Sequence, residues 1–123
     1  MKDNPVGWFE IYVRDMERAQ RFYETVFACR LQKLGGTELP MLAFPMAMNA
    51  AGAAGALVRK EGFDPGGSGV IIYFSCDDCA VEAARVEDAG GRLERDKFPI
   101  GEYGHIALAV DTEGNMIGLH SRQ

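Results

Sequence analysis

Aromatic and β-branched residues crowd the stretch from Gly7 to Val13, and the spacing of apolar residues becomes helical from Met16 onward. The first stretch predicts a strand with Trp8, Glu10 and Tyr12 on one face and Phe9, Ile11 and Val13 on the other. Asp15 stands where a helix N-cap belongs, since its carboxylate can accept a free N–H of the first turn. Met16, Ala19, Phe22, Tyr23 and Val26 then mark the buried side of a helix. Short strands follow at Leu31 to Leu34, Met41 to Met48 and Ala56 to Lys60, with Gly35-Gly36 as a turn. Pro45 inside the third strand predicts an edge or a bulge. Residues 61–69, with Gly62, Pro65, Gly66, Gly67 and Gly69, read as a linker.

The same grammar then recurs. Val70 to Ser75 is the most apolar run and predicts a buried strand. Asp77 or Asp78 caps a second helix, and Gly90-Gly91 supplies its left-handed stop. Strands are predicted at Arg92 to Asp96, His105 to Val110 and Met116 to His120. A loop spans Phe98 to Gly104, and Asp111-Thr-Glu-Gly-Asn115 forms a turn. Asp77 falls where Asp15 fell, Arg92 where Arg30 fell and Leu93 where Leu31 fell. The order β-α-β-β-β therefore occurs twice. A duplicated unit cannot close its core alone, and two such units folding together leave a cleft.

Several landmarks carry a resemblance. They are Val13-Arg-Asp-Met16, Arg21-Phe-Tyr23, Ala89-Gly-Gly91 and Asp111-Thr-Glu-Gly-Asn115. In that order they resemble the vicinal oxygen chelate superfamily of glyoxalase I, bleomycin-resistance proteins and extradiol dioxygenases. Asn4-Pro-Val-Gly-Trp-Phe-Glu-Ile11, Ala43-Phe-Pro-Met46, Ile100-Gly-Glu-Tyr-Gly104 and Leu119-His120 are similar to bacterial glyoxalase-related proteins of unassigned activity. None of these patterns is specific for a reaction. The resemblance implies an α+β fold, two βαβββ modules forming a cup-shaped mixed sheet, and a homodimer. It implies one glyoxalase-like domain over residues 1–123, with module one at about 5–60, a linker at about 61–69 and module two at about 70–121.

Catalytic members of that superfamily hold a divalent metal in the cup as a Lewis acid. The ligand positions of this chain depart from that pattern. They hold Trp8, one of Val70, Ile71 and Ile72, the Ala56-Leu-Val-Arg-Lys60 strand, and Gly118. None offers an imidazole or carboxylate, so no metal and no cofactor is expected. The alternative metal route is a three-ligand site from Glu10, His105 and His120.

The remaining candidates are polar groups in an apolar cup. Glu10 shares a face with Trp8, and such a carboxylate can act as a general acid or base. His120 shares a face with Gly118 and is its candidate partner. Trp8, Tyr12 and Phe44 are candidate aromatic walls, and Met46 an adaptable apolar contact. Glu102 and Tyr103, in a glycine-flanked loop, are candidates for a lid. Cys76-Asp-Asp-Cys79 has redox spacing, although two aspartates between the thiols oppose a thiolate.

The hydrophobic fraction of 47% and charged fraction of 25% are ordinary for a globular protein. The net charge of −5, with scattered basic residues, argues against nucleic acid. No apolar run suffices for a membrane span, and the Met1-Lys-Asp-Asn-Pro5 stretch is not expected to act as a signal peptide. Three cysteines fit a reduced, cytoplasmic chain. The leading expectation is a small-organic-ligand binder or metal-independent lyase or isomerase using Glu10 and His120. The alternatives are a ligand-sequestering protein, a metal enzyme with a non-standard site, and a thiol–disulfide protein.

Overall fold

The computed structural model describes residues 4, 6, 8–36, 39–47 and 49–123. Pro5, Gly7 and Met48 of the predicted strands and motifs lie outside them. Two four-stranded mixed sheets are built from the same sequence of elements. Module one contains β1 (Glu10–Tyr12), α1 (Met16–Phe27), β2 (Gln32–Lys33), β3 (Met41–Ala43) and β4 (Ala56–Val58). Module two contains β5 (Gly67–Ser75), α2 (Cys79–Ala83), β6 (Arg92–Pro99), β7 (His105–Val110) and β8 (Asn115–Ser121). The strand orders are β1-β4-β3-β2 and β5-β8-β7-β6. In each sheet the first strand runs parallel to the last, and the other pairs are antiparallel. The duplication seen in the letters is thus a duplication of topology.

Asp15 caps α1 as its position predicts, accepting the Arg18 N–H at 3.1 Å. The helix buries Ala19, Phe22, Tyr23 and Val26, the residues spaced for one face. They pack with Ile11 and Val13 of module one and with Val86, Ala109 and Ile117 of module two, so one core spans both modules. Gly91 permits this approach: a Cβ there would lie 2.4 Å from Phe22 Cε1 and 2.6 Å from the Val110 carbonyl oxygen. A smaller apolar group, Cys79, Ala83, Ala107 and Leu119, lies under α2.

Several boundaries differ from the sequence reading: the strands of module one are shorter than predicted, with β3 ending at Ala43 before Pro45, and three differences fall in module two. Helix α2 is capped by Asp78, which accepts the Ala80 N–H at 3.0 Å, but its α-helical part ends at Ala83. Residues 84–90 continue as turns, with Arg85 and Val86 bonding three residues back. That tighter winding suits Ala83 and Val86, three apart and both buried. Strand β5 begins at Gly67, inside the predicted linker, because Gly67 pairs with Asn115 before a bulge precedes Ile72. Strand β6 runs on through Phe98 and Pro99, which pair with β7, and only Gly101–Tyr103 forms a 3₁₀ turn.

Polar groups lock the seam between modules. Glu113, in the β7–β8 turn, accepts from the Arg14 N–H at 2.9 Å and the Asp15 N–H at 3.0 Å. It also accepts from Arg18 Nε at 2.7 Å and Nη2 at 2.9 Å. Burial alone would raise its pKa, but these bonds outweigh burial and lower it to about 2. Tyr23 donates its hydroxyl to the buried Asp111 at 2.6 Å. Burial, the negative charge of Asp111 and this bond together hold the phenol well above its ordinary pKa.

Candidate ligand site

The strand β1 presents Glu10 and Tyr12, two residues apart, on the face away from α1. The Tyr12 hydroxyl donates to Glu10 Oε1 at 2.8 Å. That bond, with some burial and the Glu10 charge, raises the Tyr12 pKa, so the phenol stays a donor at neutral pH. Both residues line a notch of about 460 Å³ between β1 and the facing strands β5 and β8. Val70, Ile72, Met116 and Ile117 supply its apolar wall, and Asp64 stands at its edge. Asn115 fixes the geometry, donating to the Tyr12 carbonyl at 3.1 Å and to Asp111 Oδ2 at 3.0 Å while accepting the Gly66 N–H at 2.7 Å. The Tyr12 ring rests near that of Phe63, centroids 5.0 Å apart, and the Lys60 ammonium sits 4.1 Å over Phe63.

The other predicted residues are placed elsewhere. Trp8 is 40% exposed on the same strand face by alternation but does not line the notch. Phe44 is buried in the core on the opposite face, where it meets Tyr23, so it is not a wall beside Trp8 and Tyr12. Met46 is exposed, and neither Glu102 nor Tyr103 lines the notch. His120 lies four residues beyond Met116, on the order of 13 Å along the strand, and is not part of the notch. Its Nε2 lies 2.7 Å from the Tyr103 carbonyl oxygen; a carbonyl only accepts, so Nε2 carries the proton there.

His105 and His120 do not converge. His120 pairs across the sheet with Ile106 and His105 with Ser121, which places them on opposite faces. Ser121 is buried beneath α2, where its Oγ accepts the Cys79 N–H at 3.0 Å. His105 Nδ1 is likewise buried there without a partner among the described residues. No group of three His, Cys, Asp or Glu residues able to hold a metal occurs among the described residues. The Glu10–His105–His120 route therefore has no geometric basis.

The superfamily's metal fares no better on the donors present. A Cβ at Gly118 would lie 2.2 Å from Tyr73 Cδ1, so the Tyr73 ring fills the space a side chain would need. Gly118 and Tyr73 are paired across β5 and β8, and the match of an absent side chain to a large ring was not recognised from the sequence. The Cys76 thiol is pushed up to about 12, by burial and then by the Glu82 carboxylate beside it. It is a thiol at neutral pH, which counts against redox chemistry. All three cysteines are free.

The family model described as Glyoxalase/Bleomycin resistance protein/Dioxygenase superfamily matches residues 6–119. A hypothetical protein, SA1046 from S. aureus, superposes with a TM-score of 0.74 at 14% identity, covering 95% of this chain and 93% of that one. A glyoxalase/bleomycin resistance protein from Streptomyces sp. CB03234 gives 0.68 at 26% identity, covering 94% and 98%. Glyoxalase I from Zea mays gives 0.72 at 22% identity; the match covers 94% of this chain but 43% of the maize chain. No curated protein sequence matches. Among the described residues no helix is long and apolar enough to cross a membrane.

Proposed function

This chain belongs to the glyoxalase/bleomycin resistance protein/dioxygenase superfamily, and from that premise we propose that it binds a small organic molecule in the notch between its modules without the superfamily's metal. The carrying observation is the Glu10 carboxylate, held by Tyr12 at 2.8 Å on the wall of a notch of about 460 Å³. The volume is in the range of small-molecule sites. Glu10 has a second oxygen beyond the one Tyr12 holds, which suits a ligand carrying an O–H or N–H donor against an apolar body.

The geometry supports binding more than turnover. Proton-transfer chemistry needs a base and an acid within reach of one substrate. Glu10 is in the notch, while His120 is tied to Tyr103 outside it. A sequestering role thus stands ahead of an isomerase or lyase. The proposal takes residues 1–123 as one domain acting through both modules, in the cytoplasm. It includes a homodimer, since Trp8, Val70 and Tyr73 are exposed. A strict monomer by light scattering at micromolar concentration removes that part alone.

Trp8 is the chain's single tryptophan and shares the Glu10 strand face, so its fluorescence should report binding. Small hydroxylated aromatics should quench it saturably. Glu10→Gln keeps the acceptor for Tyr12 but loses the charge, and should weaken binding roughly tenfold. Equal affinity in the variant would show that the notch does not use Glu10. Product formation from any bound compound, lost in Glu10→Gln, would move the reading to an enzyme.

A further inference from the structure

We propose a second, chemically different site: an aromatic cavity on the other side of β5 that binds a small organic ammonium, with Glu82 as its counter-ion. It does not rest on the notch. The cavity has a volume of about 420 Å³ and lies between the β3–β4 connection and the strand β5 with helix α2. Ile72 borders both cavities, so the two are separated by one strand.

Four phenyl rings wall the cavity. Phe27 and Phe74 lie 4.4 Å apart by centroid, Phe44 and Phe74 5.4 Å, and Phe9 and Phe44 6.1 Å. Phenyl faces carry negative charge density and attract cations. Glu82, in the first turn of α2, is the acidic residue lining this space. Its Oε1 is sealed from solvent and has no hydrogen bond of ordinary geometry among the described residues; the protonated Cys76 thiol, a weak donor, stands beside the carboxylate. No ion pair among the described residues includes Glu82. A partly buried carboxylate with only a weak thiol donor and no cation beside it is unfavourable, and a donor that arrives with positive charge relieves it most.

The ligand class follows. A neutral aromatic would satisfy the rings and leave the Glu82 carboxylate without a counter-charge. A carboxylate would be repelled by Glu82. A quaternary ammonium would satisfy the charge but bring no N–H. A primary or secondary ammonium on an apolar body meets both requirements.

The test is calorimetric titration of the full chain with benzylammonium, benzyl alcohol and benzoate. Benzylammonium should bind saturably and roughly tenfold or more tighter than benzyl alcohol, with benzoate weakest. Glu82→Gln is nearly isosteric and should erase the preference for the ammonium. Amide chemical-shift changes in the unmodified protein should centre on Glu82, Phe27 and Phe74, which tests the site even if the variant does not fold. Equal affinity for ammonium and alcohol overturns the proposal, as does saturable binding of none. A preference that survives Glu82→Gln, or shifts centred on Glu10 and Tyr12, also overturns it.

Discussion

The two modules share a topology but finish the seam between them in opposite ways. In module two the β7–β8 connection is a short polar turn, Asp111 to Gly114, which reaches across to α1. Asp111 meets Tyr23 and Glu113 meets Arg18, with both carboxylates buried. In module one the β3–β4 connection runs from Phe44 to Gly55 and is rich in alanine, including Ala51, Ala53 and Ala54. It reaches toward α2 and finds Glu82, but offers it no donor among the described residues. One end of the seam is latched and the other holds a cavity. Duplication supplies two equivalent places, and a few side chains decide which becomes structural and which stays open to a ligand.

The latched end should dominate stability. Glu113→Ala would leave the Arg14 and Asp15 N–H groups without their acceptor and Arg18 without its partner. A loss of about 2–4 kcal/mol is expected, chiefly from the two stranded N–H groups, since the half-exposed Arg18 can turn to water. Urea unfolding at pH 7 measures it, and a loss under 1 kcal/mol would mean the modules are held by the apolar core alone.

The same carboxylate makes stability depend on pH. Glu113 titrates near 2 when folded, below its ordinary value of 4.5. A depressed folded pKa means the unfolded chain takes up the proton first as pH falls. The contribution is therefore full above about 4.5 and is lost progressively as pH drops toward about 2. Its size is at most about 3 kcal/mol, reduced by solvent screening of the half-exposed Arg18. Urea midpoints taken between pH 7 and pH 3 should fall more in the native chain than in Glu113→Gln. Parallel curves would place the acid sensitivity in other carboxylates.

Much of this fold was legible because it is written in periodicities. The alternation at Phe9, Ile11 and Val13 and the helical spacing through Val26 gave β1 and α1, and the recurrence of Asp15 as Asp77 exposed the second module. Of the two adjacent aspartates that the sequence offers as caps, Asp77 and Asp78, the second is the cap. The candidate site was legible only within one strand, where i and i+2 must share a face: hence Glu10 with Tyr12. Phe44 lies just past Ala43, where β3 ends, so strand alternation gives it no face, and its burial beside Tyr23 is set by tertiary packing. His120 and Glu10 sit on different modules, and their separation depends on how the sheets meet. Glu113 and Glu82 carried no local signal, since what distinguishes them is the presence or absence of a donor far away in sequence.

The open end gives the smallest effect and the sharpest contrast. Removing a carboxylate from the latch should destabilise; removing one from the cavity should do the reverse. Glu82→Met keeps the length and helix preference of the side chain, discards a carboxylate whose neighbouring donor is only the weak Cys76 thiol, and fills space beside Phe27 and Phe74. A gain of about 1 kcal/mol is expected at pH 7, read as a higher urea midpoint with an unchanged slope. A loss of similar size would mean that Glu82 is paired in solution, and the asymmetry between the two ends would then be one of partner rather than of latch and cavity. A gain would mean the chain retains a carboxylate that costs it stability, as expected where a side chain is kept for a ligand rather than for the fold.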